Sequence, residues 1–286
     1  MKDALQNNES DDEPEDHDLG LAFDLTTVMN RRRAIKLIAY AGVGTGLLAL
    51  VGCGSDAASN SGTTGASSAA AGSDTCELIP EETAGPYPGD GSNGPDVLSQ
   101  SGIVRSDIRS SFGSASGVAE GVPLTIKLTI QDEANGCAAL PGAAVYVWHC
   151  DRDGGYSMYS AAVANENYLR GVQETDADGL VTFTSIFPAC YSGRWPHIHF
   201  EVYPSLAAAT DSANKIATSQ VAMPQVACDA VYATDGYGQS VTNLSQVTLQ
   251  SDNVFRDDGG VQQLGTVTGS VEDGYTVELT VPVRGA

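Results

Sequence analysis

The residues best suited to chemistry are His197 and His199, which are separated by a single residue. The chain has four histidines, so half of them lie in this one motif. Polar and apolar residues alternate here, which predicts a β-strand, and side chains two residues apart on a strand point to the same face. The two imidazoles should therefore lie side by side, as a metal site requires. The alternative is a chance pair of surface histidines, and the preceding Pro196 with its aromatic and apolar neighbours argues against it.

Two nitrogens do not complete a metal site, so other ligands must come from elsewhere. A cupin-type or non-haem iron(II) site needs a third histidine or a carboxylate at a matching spacing, and His149 fits a structural role better. Oxygen donors are available from Tyr156, which follows a Gly-Gly turn, and from Tyr191, shortly before His197. Iron(III) can deprotonate a tyrosine whose free pKa is about 10, whereas zinc seldom takes such ligands.

The elements that must position these residues are short strands. Apolar residues alternate with polar ones, or β-favouring residues cluster, over residues 123–130, 143–148, 180–186, 197–202 and 275–283. Turn signals separate these segments, and long helical periodicity is hard to find after residue 74. Residues 206–216 are expected to form a short helix or a loose loop. The pattern predicts an all-β fold, a β-sandwich of mostly antiparallel strands with long loops.

The first part of the chain is expected to lie outside this domain. Residues 1–30 are strongly acidic and predict a disordered tail. Residues 31–53 combine an arginine cluster with an uncharged stretch that is shorter than the roughly 20 residues of a membrane-spanning helix, as in an export signal. The arginines resemble a twin-arginine signal, and the residues before Cys53 resemble a bacterial lipobox, in which the cysteine is lipidated. A transmembrane anchor with a cytoplasmic tail is the alternative, and in both cases the remainder is exported to the cell envelope.

Residues 54–73 are rich in Ser, Gly and Ala and predict a flexible linker. The remaining segment, residues 74–286, contains about 210 residues, enough for one domain with its own core. The whole chain has a net charge of −22, and the segment 74–286 is acidic without a basic patch. This composition argues against binding to nucleic acid or anionic lipid, so membrane contact is expected only through a lipid at Cys53.

Five of the six cysteines follow Cys53. In an oxidising compartment, two disulfides and one remaining thiol are the simplest arrangement, but sequence alone does not fix the pairing. The chain has no CxxC pair, which leaves zinc-ribbon and thioredoxin-type sites without support.

The order of these motifs resembles that of the intradiol ring-cleaving dioxygenases, which include catechol 1,2- and protocatechuate 3,4-dioxygenases. The similarity extends over about residues 75–283. Its most specific parts are the segments 148–157, 169–171, 187–191 and 194–199, with lead-in segments at 76–87 and 104–109.

The resemblance implies a non-haem iron(III) centre, Fe(III), whose ligands are Tyr156, Tyr191, His197 and His199. It also implies that a catechol and dioxygen are the substrates. The ring would open between its two hydroxylated carbons to give a muconate-type diacid, with Tyr191 leaving the metal and taking up a catechol proton.

Two further residues are implied in catalysis. Arg194 matches an arginine that stabilises carbanionic substrate character in this family, and its fixed positive charge suits that task. A surface arginine in a loop is the alternative. Gln220 matches a glutamine near the substrate, although the stretch that precedes it is longer here than in the catechol enzymes.

The sequence also departs from the family pattern. Family members often have glycine where Ala189 or Cys190 stands, and we hypothesise a disulfide between Cys190 and Cys228 that fastens the second tyrosine's loop. Export and lipidation resemble the secreted branch of the family. No dimerising helical segment is predicted between residues 74 and 122, so a monomer or a homodimer is expected. The alternative function is an exported lipoprotein that binds a ligand on the same fold without turnover.

Overall fold

The computed structural model describes residues 76–285. The predicted tail (1–30), signal (31–53) and linker (54–73), with Cys53, lie outside the described residues. The described part contains strands β1 (Pro123–Asp132), β2 (Ala138–Ala139), β3 (Ala144–Trp148), β4 (Arg170–Glu174), β5 (Leu180–Ile186), β6 (His197–Tyr203), β7 (Ala217–Ala222), β8 (Thr266–Ser270) and β9 (Gly274–Val283). It also contains two α-helices, α1 (Gln225–Tyr232) and α2 (Gly238–Leu244).

The strands form two sheets. One has the order β2-β1-β9-β8, with β5 also paired to β1, and the other has the order β4-β3-β6-β7. Only the β1–β9 pair is parallel among the strand pairs of the described region, and the other pairs are antiparallel. The predicted all-β sandwich of mostly antiparallel strands is therefore confirmed.

The core between the sheets is built from alternate residues of facing strands, including Leu124, Ile126, Leu128, Ile198, Phe200 and Val202. A second apolar cluster lies on the opposite face of the β3–β6 sheet, where Val97, Leu98 and Ile103 pack with Tyr146, Trp148 and Tyr203. Every residue of β3 and β6 is buried as a result. Side chains on the outer face of β6 therefore point into the protein rather than into water.

The structure adds elements that the sequence did not predict. Four strands (β2, β4, β7 and β8) and both helices are new. Residues 206–216 hold two single turns of 3₁₀ helix, Ala208–Thr210 and Ser212–Asn214. Within residues 76–285 no helix has the length and apolar character needed to cross a membrane.

The cysteines are arranged differently from the expectation. Cys76 and Cys137 form a disulfide, whereas Cys150, Cys190 and Cys228 are free and buried. The hypothesised bond between Cys190 and Cys228 is therefore wrong. Each of these two thiols instead faces a backbone carbonyl, that of Arg194 for Cys190 and that of Met223 for Cys228.

Candidate metal centre

The two histidines of β6 meet as predicted. His197 and His199 are 2% and 3% exposed, and their Nε2 atoms lie 3.1 Å apart. The residue between them, Ile198, points into the core between the sheets. The alternation of β6 thus separates a pair of imidazoles on one face from apolar packing on the other.

The orientation of each imidazole is fixed by a neighbour. The Nδ1 atom of His197 donates to the carbonyl of Trp195 at 2.5 Å, so its Nε2 is left without a proton in the neutral ring. The ring of His199 is stacked on Trp148, with centroids 4.8 Å apart and planes 6° apart. Both Nε2 atoms are thereby directed to the same small region.

The electrostatic surroundings keep both imidazoles neutral. Burial, with the charge of Arg194, lowers the pKa of His197 to about 3. Burial, with the neighbouring His197, lowers the pKa of His199 well below its ordinary value. Neutral rings have the free nitrogen lone pair that a metal ion needs.

The two tyrosines complete the group. The hydroxyl oxygen of Tyr191 lies 3.2 Å from Nε2 of His197. The ring of Tyr156 lies 5.8 Å from that of Tyr191 and 6.2 Å from that of His199. The hydroxyl of Tyr156 is buried and meets no hydrogen-bond geometry with any group in residues 76–285, and burial, with Tyr191 nearby, raises its pKa well above the ordinary value.

The loop that carries Tyr156 is shaped by Asp151. One oxygen of this buried carboxylate accepts hydrogen bonds from the backbone N–H groups of Asp153 and Gly155, and the other accepts from the hydroxyl of Tyr168. Gly154 has a φ of +88°, and a Cβ atom there would lie 3.3 Å from Cβ of Tyr191. The glycine therefore lets the two tyrosine-bearing loops approach each other.

The loop that carries Tyr191 is fastened by α2 rather than by a disulfide. The hydroxyl of Ser240 accepts a hydrogen bond from the N–H of Cys190 at 3.0 Å. The side chain of Asn243 donates to the carbonyl of the same residue at 2.8 Å. Helix α2, which the sequence did not predict, thus holds this loop in place of the hypothesised disulfide between Cys190 and Cys228.

Arg194 is buried beside the histidines, which excludes the surface-loop alternative. Its Nε donates to a carboxylate oxygen of Asp252 at 2.9 Å, and its Nη2 donates to the side-chain oxygen of Gln220 at 2.7 Å. The amide nitrogen of Gln220 donates in turn to the carbonyl of Thr83 at 3.0 Å. Gln220 is paired with His199 in the register of β6 and β7, so the predicted glutamine does lie in this cluster.

The lead-in segment, residues 76–87, also packs against one of the proposed metal ligands. The ring of Tyr87 packs against Tyr156 with centroids 5.0 Å apart. Arg170, which lies in the segment 169–171, donates to the carbonyls of Tyr87 and Pro88 and to the hydroxyl of Ser157. This buried guanidinium joins the lead-in segment to the loop of the first tyrosine.

His149 has the structural position expected of it. Its Nδ1 donates to the carbonyl of Cys150 at 2.7 Å, and its Nε2 accepts from the hydroxyl of Ser185 at 2.7 Å. Both ring nitrogens are therefore already engaged. Burial lowers its pKa to about 4.

The donor set fits the iron(III) that the family implies. Ligand atoms that lie about 2 Å from one ion, at roughly right angles, are about 3 Å apart, close to the two separations measured from Nε2 of His197. Burying the hydroxyl of Tyr156 without a partner in residues 76–285 is energetically unfavourable unless another group, such as a metal ion, binds it. Within residues 76–285 no group of three or more His, Cys, Asp or Glu side chains is placed to hold a metal. The proposed donor set has two histidines and two tyrosines, so it includes only two side chains of those types.

Asp252 and Trp148 belong to this cluster and were not predicted to take part. Asp252 contacts Arg194 across 58 residues of sequence, and nothing in its neighbourhood distinguishes it from other loop aspartates. Trp148 lies in the segment 148–157, and its position opposite His199 follows from the antiparallel pairing of β3 with β6, which the sequence did not predict.

Comparison with known proteins gives matches to dioxygenases. Residues 93–209 match a family model described as Dioxygenase. A stretch of 52 residues is 40% identical to the chlorocatechol 1,2-dioxygenase of Rhodococcus opacus, and this match covers 18% of the chain and 20% of that protein. The chain thus spans about a fifth of the length of that curated relative.

Solved structures extend the similarity to the whole domain. The intradiol ring-cleavage dioxygenase from Tetranychus urticae is 25% identical, with a TM-score of 0.57, and the match covers 73% of this chain and 95% of that one. The dioxygenase Tetur07g02040 is 24% identical with the same TM-score and coverage, which supports the fold alone. Residues 93–209 thus match a dioxygenase family model, and the described domain resembles the intradiol ring-cleavage dioxygenase from Tetranychus urticae in fold and, at 25% identity, in sequence.

Proposed function

We propose that this protein is a non-haem iron(III) dioxygenase that opens a catechol ring between its two hydroxylated carbons, using dioxygen, to give a muconate-type diacid. The observation that carries the proposal is the meeting of His197, His199, Tyr191 and Tyr156 in one buried cluster beside Arg194. The four donors would hold the iron, and Arg194 adds a fixed positive charge that metal storage would not require.

A bound iron(III) would act as a Lewis acid, lowering the pKa of phenols attached to it and drawing electron density from an aromatic diol. The protein's own part begins with the two neutral imidazoles, which offer lone pairs without first losing a proton. Tyr156 is 2% exposed, whereas Tyr191 is partly exposed. The hydroxyl of Tyr191 is therefore the better placed of the two to accept a proton from an entering catechol.

Arg194 would stabilise negative charge that develops on the substrate ring. A preorganised cation in a water-excluded site does this without reorganising during the reaction. Gln220 uses both ends of its amide, one with Arg194 and the other with Thr83. This supports a role in which Gln220 positions the arginine and the lead-in segment.

The first test is spectroscopic and enzymatic together. We expect the iron-loaded protein to show a visible tyrosinate-to-iron(III) charge-transfer band, and to consume oxygen with at least one of catechol, protocatechuate or hydroxyquinol. The Tyr191→Phe variant should lose part of the band and most of the turnover. A colourless protein with a full complement of iron would contradict the ligand assignment.

The same experiment separates the enzyme from a binding module. If the band is present and a wide panel of catechols perturbs it without oxygen uptake, the protein binds such ligands without turning them over. The panel also addresses the substrate class, and gel filtration distinguishes a monomer from a homodimer.

We further propose that the protein is exported and held at the bacterial cell envelope by a lipid on Cys53. The Cys76–Cys137 disulfide supports this, because disulfides persist in oxidising compartments. Membrane fractionation with labelled fatty acid should give a labelled, membrane-bound protein, and Cys53→Ser should release it unlabelled. A wild-type protein without label would contradict the anchor.

A further inference from the structure

A buried carboxylate outside the predicted site contacts the proposed catalytic arginine. Asp252 follows α2 in a loop and is 0% exposed. We propose that Asp252 is a positioning residue, whose carboxylate fixes the Arg194 guanidinium beside the two histidines and offsets its charge. The proposal rests on the proposed ring-cleaving function and assigns a further residue to it.

The carboxylate holds both the side chain and the backbone of the arginine segment. One oxygen, Oδ2, accepts from Nε of Arg194 at 2.9 Å and from the backbone N–H of Trp195 at 2.7 Å. The carbonyl of Trp195 is the group that orients the ring of His197. Asp252 therefore acts on the arginine directly and on one histidine through a single residue.

The carboxylate is itself held in place. Its second oxygen, Oδ1, accepts from the backbone N–H groups of Val254 and Phe255, at 2.8 and 3.2 Å. These donors belong to its own loop and hold the carboxylate at a fixed angle. A group anchored in this way can define where a partner lies, which a mobile surface carboxylate cannot.

The arginine is held from another side by β7. Gln220 accepts from Nη2 of Arg194 at 2.7 Å, and its strand position is opposite His199. The guanidinium thus lies between the loop of Asp252 and the strand of Gln220. Two anchors restrict its rotation more than either would alone.

Charge supports the same role. A buried cation without a compensating anion is costly, and Arg194 and Asp252 form an ion pair at 2.9 Å in which both side chains are buried. Removing the negative charge of Asp252 would leave a larger positive potential at the metal site. Cation binding there should weaken together with the positioning of the arginine.

Two substitutions separate charge from position. Asp252→Asn keeps the size of the side chain and removes the charge, so we expect kcat to fall about 10- to 100-fold, the size expected for a charged hydrogen bond. We expect KM to change by less than about threefold, and iron affinity, measured by chelator competition, to fall about tenfold. Asp252→Glu keeps the charge and shifts the carboxylate by one methylene, so iron affinity should return to the wild-type level while kcat stays low.

A matched control is Asp258→Asn. Asp258 lies in the same segment and accepts a backbone hydrogen bond from Gly260, but it is exposed. Its substitution should leave both kcat and iron affinity unchanged. Chelator competition reports on the site without turnover, so an effect on iron affinity does not depend on finding the substrate.

Opposite results would overturn the proposal. Wild-type kcat and iron affinity in Asp252→Asn would remove both roles, and a wild-type kcat in Asp252→Glu would remove the positioning role even if Asp252→Asn failed to fold. Failure of the proposed function has a different signature, since the wild-type protein itself would bind iron and consume no oxygen with any catechol.

Discussion

Strands β1 and β6 have the same alternation of polar and apolar residues but different surroundings. In β1 the residues facing the core are buried, and their polar neighbours, such as Lys127, are only partly covered. In β6 all seven residues are buried, the polar ones included. The difference arises because the chain before β1 covers the outer face of the β3–β6 sheet. The covering segment thus removes the polar residues of β6 from water, whereas those of β1 keep contact with it.

The ion pairs of β1 and β6 also differ in how far their side chains are exposed to water. Lys127 of β1 bonds to Glu278 with both side chains substantially exposed. Glu201 of β6 is completely buried and bonds to Lys215 at 2.8 Å and to the hydroxyl of Tyr203 at 2.6 Å. Burial raises the pKa of Glu201 to about 7 even though Lys215 lowers it.

The largest expected effect is the loss of metal binding when a histidine of β6 is replaced. His199→Ala removes a proposed ligand, and we expect loss of bound iron and a fall in turnover of more than about 100-fold, since even outer partners of metal ligands contribute 10- to 100-fold. Iron content and oxygen uptake measure this. The β1 variant Thr125→Ala should bind iron and turn over normally, and full iron content in His199→Ala would contradict the assignment.

A large effect on stability is expected at the buried ion pair. Lys215→Met leaves Glu201 and Asp90 without their shared cation, so we expect the free energy of unfolding to fall by about 3 kcal/mol. Urea denaturation of the metal-free protein at pH 8, where Glu201 is mostly ionised, measures this. A loss below about 1 kcal/mol would mean that water or protonation compensates the charge.

An effect of similar or smaller size should depend on pH. The folded-state pKa of His149 is about 4, below its ordinary value of 6.5, so between these values the unfolded chain binds the proton and the folded chain does not. The free energy of unfolding of the metal-free protein should therefore decrease as pH falls from about 6.5 to 4, by up to about 3 kcal/mol for this residue. Urea denaturation at pH 7, 5.5 and 4.5 would follow the decrease.

The control for that pH dependence is His149→Gln, which cannot titrate in this range. Its stability should be lower at pH 7 but should change less on acidification than that of the wild type. Equal pH dependence in the two proteins would assign the effect to other groups.

The smallest expected effect is at the exposed pair of β1. Lys127→Met removes a cation whose partner Glu278 remains in contact with water, so the free energy of unfolding should change by less than about 1 kcal/mol. The same urea titration as for Lys215→Met makes the two changes directly comparable. A loss as large as that of Lys215→Met would remove the distinction drawn between the two strands.

Much of the sandwich could be predicted from local pattern, because the five predicted strands either alternate polar and apolar residues or cluster β-favouring residues. β7 was missed since both of its faces are buried and its sequence mixes small polar and apolar residues without alternation. Helices α1 and α2 have eight and seven residues, and neither begins with a side-chain cap, so they lack the usual signals. Short helices held by tertiary contacts leave little trace in the sequence.

The residues of the site also separate into those that the sequence predicted and those that it did not. The four proposed ligands and Arg194 occur in recognisable segments, and the structure brings all five together. Asp252 could not be predicted because its role depends on a contact 58 residues away along the chain. The pairing of Cys190 with Cys228 was wrong because their departure from the family pattern was taken as a reason for a bond; both thiols are free, and α2 supplies hydrogen bonds to the loop instead.

The Cys76–Cys137 disulfide has a mechanical consequence. It joins the first described residue to the turn that follows β1, across 61 residues. Tension applied through the chain before Cys76 would pass across the sulfur atoms and bypass residues 77–136, including the segment that packs on Tyr156. A pull from the N-terminal side would therefore enter the fold at Cys137, between β1 and β2, and the segment that covers the proposed metal centre would carry little of the load.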